Sequence, residues 1–132
     1  MASLYLDEDL ANFEGGLRGA GHNIRLANEV GPGRTDVWHL NRASRDGQIL
    51  VTFNERDYKY LHRLWTSVWS LGIFSRLHAG IITATRQLEP DLWIPAIDQL
   101  LREDAKMNGR MLVWSQAAQR WREDDWRAER LK

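Results

Sequence analysis

Apolar residues in this chain fall into short runs separated by stretches of helical period. Leu4-Tyr5-Leu6 is an apolar run ending in Asp7-Glu8-Asp9, and it predicts a buried strand. Leu10, Phe13, Leu17 and Ala20 then recur at helical spacing, with Gly21 as a C-terminal stop. Alternation from His22 to Ala27 predicts a second strand, and Gly31-Pro32-Gly33 a turn. Thr35-Asp36 opens a helix with the apolar stripe Val37, Leu40 and Ala43, closed by Asp46-Gly47. Ile49-Leu50-Val51-Thr52-Phe53 is the clearest strand: short, β-branched and bounded by polar residues. Beyond Asn54-Glu55-Arg56-Asp57, the residues Tyr58, Leu61, Leu64, Trp65 and Val68 share one helical face. A fourth strand falls within His78 to Thr85. A helix from Pro90 to Asp104 turns Leu92, Pro95, Ala96, Leu100 and Leu101 to the core, and Met111-Leu112-Val113-Trp114 is a fifth strand. The charged tail, about residues 117–132 with Trp121 and Trp126, is expected to be helical.

Strands alternating with helices predict an α/β fold: a three-layer sandwich with a mostly parallel central sheet of about four to five strands. Crossovers between the parallel strands are expected to be right-handed. The 132 residues form one domain, 1–132, with no repeat or linker, and 43% apolar residues with seven Trp supply a core. Formal charge is zero, from 18 basic and 18 acidic side chains, so contact with nucleic acid would rest on local patches. The absence of Cys excludes disulfides, thiolate chemistry and zinc-thiolate sites. The opening residues lack a basic region before an apolar run, and no run reaches the roughly 20 residues of a membrane helix. A soluble, cytoplasmic protein with no membrane partner is expected.

In parallel α/β sheets, ligands bind beyond the carboxyl ends of the strands. Asp7-Glu8-Asp9 follow strand one, Asn54, Glu55 and Asp57 follow strand three, Asp36 opens a helix, and Arg86 follows strand four. Carboxylates brought to one edge repel each other unless a cation joins them. Mg²⁺ and Mn²⁺ take carboxylate oxygens and water, activate a bound water and neutralise charge on a phosphodiester.

Taken in order, Leu6-Asp7-Glu8-Asp9-Leu10, Gly21-His22, Thr35-Asp36, Leu50-Val51-Thr52-Phe53-Asn54-Glu55-Arg56-Asp57-Tyr58 and Gly80-Ile81-Ile82 resemble an uncharacterised family of small PIN-like proteins, over about Leu4 to Arg86. The resemblance implies a PIN-like fold and Mg²⁺- or Mn²⁺-dependent cleavage of RNA. Some relatives are toxins held by a partner protein, which implies an antitoxin. Asp7, Asp36 and Asp57 match the acidic positions and would be the metal ligands. Asn54 stands where the family usually has the first Asp of Thr-x-Asp-x-Asp, and Tyr58 replaces Phe. An amide there removes one negative charge and lowers the expected affinity for metal. Glu8, Asp9 and Glu55 are candidates to compensate.

Each of these residues also has a plainer reading. Asp7, Asp36 and Asp57 suit the first turns of helices, and Asn54 suits an N-cap. Arg56 and Arg86 could grip phosphate, although surface ion pairing is the commoner fate of arginine. His22, His39, His62 and His78 show no metal-ligand spacing. Leu61, Leu64, Trp65, Val68, Trp69, Leu71 and Phe74 form the richest apolar stretch, to be read as core or as a face for a homodimer or partner. Two functions are therefore carried forward. One is a metal-dependent ribonuclease with RNA as substrate. The other is a catalytically weakened relative that binds protein or nucleic acid. Phosphotransfer through Asp7, or a receiver-type switch, is weaker, because Ala11 and Asn54 stand where Thr and Asp would be needed.

Overall fold

The computed structural model describes residues 2–103 and 106–125. Six strands form one sheet: β1 (Ser3–Leu6), β2 (Asn23–Leu26), β3 (Ile49–Val51), β4 (Ile81–Ala84), β5 (Met111–Ser115) and β6 (Arg120–Glu123), in the order β2-β1-β3-β4-β5-β6. The first five are parallel and β6 is antiparallel to β5. The sheet is thus larger than the four to five strands expected. Part of the expected helical tail is β6 instead. Trp121 of β6 packs on Trp114 of β5, with ring centroids 5.2 Å apart, and that contact outweighs the charge of its neighbours. Trp126 and the rest of the tail lie outside the described residues, as does Asp104.

Alternation along the strands divides the core into two layers. Leu4, Leu6, Ile49, Val51, Ile82, Leu112 and Trp114 face one side. A 3₁₀ segment (Glu8–Phe13), α1 (Glu14–Gly19) and α5 (Pro90–Glu103) cover them. Tyr5, Leu50, Ile81, Met111 and Val113 face the other side, under α3 (Asp36–Arg45) and α4 (Glu55–Ser70). One further turn of helix, α2 (Ala27–Val30), follows β2. The helix expected from Leu10 to Ala20 therefore begins as 3₁₀, with a non-helical Leu10 (φ −112°, ψ 17°). On α5 the buried stripe is Trp93, Ala96, Ile97 and Leu100, while Leu92 is 45% exposed and Pro95 faces solvent. On α3, Leu40 and Ala43 are buried but Val37 is 54% exposed. No helix among the described residues is long and apolar enough to cross a membrane.

The crossovers do not share one hand. The chain moves outward from β1 to β2 through α1 on one face, then back through α3 and α4 on the other, and these three connections have the same hand. The α5 connection continues in the α3–α4 direction but lies on the α1 face, so its hand is opposite. The crossovers therefore cannot all be right-handed, contrary to the expectation from the sequence. Coverage supplies the reason: without α5, only a six-residue helix and a 3₁₀ segment would shield that face. Trp93 of α5 fills the gap, stacked on Phe53 at 4.8 Å and edge-on to Phe13 at 5.7 Å.

A buried histidine chain ties β6 to the body. The Gly80 N–H donates to His78 Nδ1 (3.1 Å), so His78 carries its proton on Nε2 and donates it to His62 Nδ1 (2.8 Å). His62 Nε2–H then donates to the Asp124 carbonyl (3.1 Å), and Arg63 grips the Asp124 carboxylate with both Nε and Nη2 (3.1 and 2.8 Å). Burial lowers the pKa of both histidines, that of His78 from 6.5 to about 3, with His62 adding to the effect. Burial would raise the Asp124 carboxyl, but the hydrogen bonds and charge of Arg63 hold it below its ordinary value. The unfolded chain takes up the histidine protons first, so stability is full above about pH 6.5 and is lost as pH falls from there toward the folded values. His78→Gln keeps a donor toward His62 without a titrating ring. Chemical denaturation at pH 7.5, 6 and 5 is expected to show a shallower loss for this variant than for wild type. Equal slopes would refute the assignment.

Candidate functional site

The site grows from the order of the strands. Because β2 lies outside β1, the chain leaves β1 in one direction and returns past it to β3. The order of strands thus reverses between β1 and β3, the kind of switch point at which parallel α/β sheets place ligands. Leu6 pairs with Val51, so the next residues on the two strands, Asp7 and Thr52, emerge side by side. The Asp7 N–H donates to the Val51 carbonyl (3.0 Å), and Thr52 N–H to that of Ile82 (3.0 Å). The Thr52 hydroxyl donates to Asp7 Oδ2 (2.7 Å), across 45 residues of sequence. Asp7 Oδ1 accepts from the Glu8 N–H (2.8 Å), which also makes Asp7 the cap of the 3₁₀ segment.

Helix starts bring in the other two carboxylates. Thr35 caps α3, its hydroxyl accepting from the Trp38 N–H (3.3 Å), and thereby sets Asp36 in the first turn. Asn54 caps α4, with Oδ1 facing the Asp57 N–H (3.4 Å). The Asn54 N–H donates to Thr52 Oγ1 (3.0 Å). The Asn54 amide nitrogen, Nδ2, donates to Asp57 Oδ2 (3.0 Å) and Asp36 Oδ2 (3.4 Å). On the inner side the Tyr58 hydroxyl, one helical turn beyond Asn54, donates to Asp36 Oδ1 (3.4 Å). Asp7, Thr52, Asn54, Asp36, Asp57 and Tyr58 thus form one connected group.

Electrostatics agree with the geometry. Burial, then the charges of Asp7 and Asp57, raise the Asp36 carboxyl above its ordinary 3.8. Burial, with Asp7 and Asp36 nearby, pushes the Tyr58 phenol far above its ordinary 10, so Tyr58 remains a proton donor to Asp36. Behind Asp36, the buried Tyr5 hydroxyl lies 2.6 Å from His39 Nδ1.

Other residues expected at the site are elsewhere. Arg56 is almost fully exposed, its Nε 4.0 Å from Asp57 Oδ1. Arg86 lines a separate cleft of about 370 Å³ with Asp9 and Phe53. Glu55 is occupied by Arg122 (2.9 Å) and Lys59 (3.3 Å), so it does not compensate for Asn54. Glu8 is exposed and lends its N–H rather than its carboxylate. His22 holds the opposite end of the sheet, between the Ala2 N–H and Asp98. Sequence reasoning assigned no role to Thr52, or to Tyr58 beyond its replacement of Phe. Their signals were a hydroxyl one residue past a buried strand and a phenol at i+4 from a helix cap.

Three carboxylates, two hydroxyls and an amide make an all-oxygen donor set of the kind hard divalent ions accept. In chemistry the set fits Mg²⁺ or Mn²⁺. As arranged, however, the Asn54 amide hydrogens face Asp36 and Asp57, the side from which a cation would attract them. Among the described residues, no three His, Asp or Glu side chains are disposed to hold a metal ion. In comparisons with known proteins, no family model, curated protein or solved structure matches the chain.

Thr52→Val tests the link on which this group depends. The near-isosteric change strands Asp7 Oδ2 and the Asn54 N–H, and is expected to cost about 1–3 kcal/mol in urea denaturation. A change within about 0.5 kcal/mol, the range of ordinary surface substitutions, would mean that the bond holds nothing.

Proposed function

We propose that the chain is a PIN-like ribonuclease whose activity depends on Mg²⁺ or Mn²⁺. The observation carrying this reading is that hydrogen bonds link Asp7, Asp36 and Asp57, from three separate segments, beyond the carboxyl ends of β1 and β3. Their ordered resemblance to the acidic positions of the PIN-like family adds to it.

Asp7, Asp36 and Asp57 would hold the ion, which would polarise a phosphodiester and make its bound water a better nucleophile. The chain's own residues orient that set. Thr52 fixes Asp7, and Tyr58 with Asn54 fixes Asp36. Asn54 adds no charge, so it bridges two carboxylates without adding to their repulsion. Arg56, exposed beside Asp57, is the candidate to meet substrate phosphate, and Arg86 would do so only for a substrate that also reaches the separate cleft. By the same family analogy, the protein would be a toxin restrained by a partner protein, and the expectation of a cytoplasmic protein, which rests on the sequence pattern, goes with that reading.

A second reading has specific support. The amide hydrogens of Asn54 already bridge Asp36 and Asp57. A chain that satisfies its carboxylates in this way has less need of an ion, which favours a catalytically weakened relative that binds protein or nucleic acid.

Metal titration separates the two. For the nuclease, millimolar Mn²⁺ raises the melting temperature of wild type but not of Asp7→Asn, and a fluorescent single-stranded RNA is cut only by wild type with metal. An unchanged melting temperature together with intact RNA would sink the nuclease reading and leave the binding module.

A further inference from the structure

Away from the carboxylates, α3, α4 and the segment 71–76 enclose an apolar groove of about 660 Å³. Leu61, Leu64, Trp65 and Val68 form one wall along two turns of α4, about 10 Å. Val37 and Trp38 of α3 face them, and Ile73 and Phe74 close one side. Several of these side chains are unusually bare: Ile73 is 68% exposed, Val37 54% and Leu64 50%. The wall is already formed, since Trp65 Nε1 donates to the Arg76 carbonyl (3.0 Å) and the Trp65 ring meets Phe74 edge-on at 5.5 Å. Exposed apolar surface of this kind marks an interaction site.

Charge identifies the occupant. No Asp or Glu lines the groove, and Arg76 does. Arg34 lies over the Trp38 ring at 5.1 Å. Arg45 follows Trp38 and Asn41 at +7 and +4 on α3, and so continues the same face. All three arginines are exposed, and none has an acidic partner among the described residues. The groove is therefore apolar at its floor and cationic at its rim.

We propose that this groove seats an amphipathic helix of a partner protein, with an apolar stripe filling the floor and acidic flanks pairing with Arg34, Arg45 and Arg76. A second copy fits less well, because a two-fold contact would set these arginines against their own copies. RNA fits less well too. Bases stack on open ring faces, whereas the barest residues here are aliphatic and Arg34 covers a face of Trp38. The groove reaches Thr35, next to Asp36, so its occupant ends beside the carboxylate group. The proposal does not rest on the nuclease reading.

The probes are two fluorescein-labelled helical peptides of about 15 residues, both with Leu at i, i+3, i+4 and i+7, one flanked by Glu and the other by Lys. Anisotropy is expected to show saturable binding of the Glu peptide, weakened by salt, with the Lys peptide about tenfold weaker. Leu64→Glu and Ile73→Asp, both at exposed positions, each reduce binding about tenfold while thermal melts confirm folding. Arg34→Glu combined with Arg45→Glu and Arg76→Glu inverts the preference. Equal affinity for both peptides, or no saturable binding, would overturn the proposal. So would a dimer in sedimentation that Leu64→Glu dissociates, or an oligouridylate that displaces the Glu peptide from the groove.

Discussion

A sheet covered on both faces leaves its polar residues few places to go. Within β1, β3, β4 and β5 nearly every side chain is buried, so the polar group of the site begins where the strands stop. At β1 and β3 it begins with Asp7 and Thr52, and the Thr52 hydroxyl joins the two ends. That bond exists because β2 lies outside β1, which makes strands distant in sequence into neighbours. The rest of the group follows from it. Thr52 Oγ1 also accepts from the Asn54 N–H, Asn54 starts α4, and α4 carries Asp57 and Tyr58 toward Asp36.

The two core layers support the site unequally. On one face Trp93 stacks on Phe53, the residue before Asn54, and so backs the start of α4 from beneath the sheet. On the other face Tyr58 is fully buried, yet its hydroxyl reaches Asp36. Tyr58 therefore anchors the helix with its ring and orients a carboxylate with its oxygen. The reversed hand of the α5 connection bears on the same point, since it puts Trp93 on the face where Phe53 needs cover.

The residue pattern carries much of this fold on its face. Short apolar runs mark β1, β3, β4 and β5 because strands buried on both faces carry little else. Edge strand β6 escapes that pattern because Arg120-Trp121-Arg122-Glu123 offers a single partly buried aromatic, and its charges resemble those of a surface helix. On α5 the phase expected through Leu92 is wrong, because Trp93, Ala96, Ile97 and Leu100 make the fuller i, i+3, i+4, i+7 stripe. Asp7, Asp36, Asn54 and Asp57 are identifiable from their places after strands and at helix starts. Their holders are not, because the reach of a Thr hydroxyl or a Tyr phenol depends on strand order and helix phase together. Glu55, one residue from Asn54, shows the converse. Its sequence position suits the site, but Arg122 of the unforeseen β6 holds it.

Asn54 decides how much charge this arrangement must tolerate. Burial, and after it the charges of Asp7 and Asp57, already raise the cost of ionising Asp36. A carboxylate in place of Asn54 would add a fourth charge and remove the amide hydrogens that bridge Asp36 and Asp57, so the group would hold together only around a cation. With the amide, the first turns of α3 and α4 supply favourable dipoles and Nδ2 supplies donors. The carboxylates can then stay close with nothing bound. Asn54 therefore does more than withhold one charge from the group. Its amide bridges Asp36 and Asp57, at the cost of part of the field that would attract a cation.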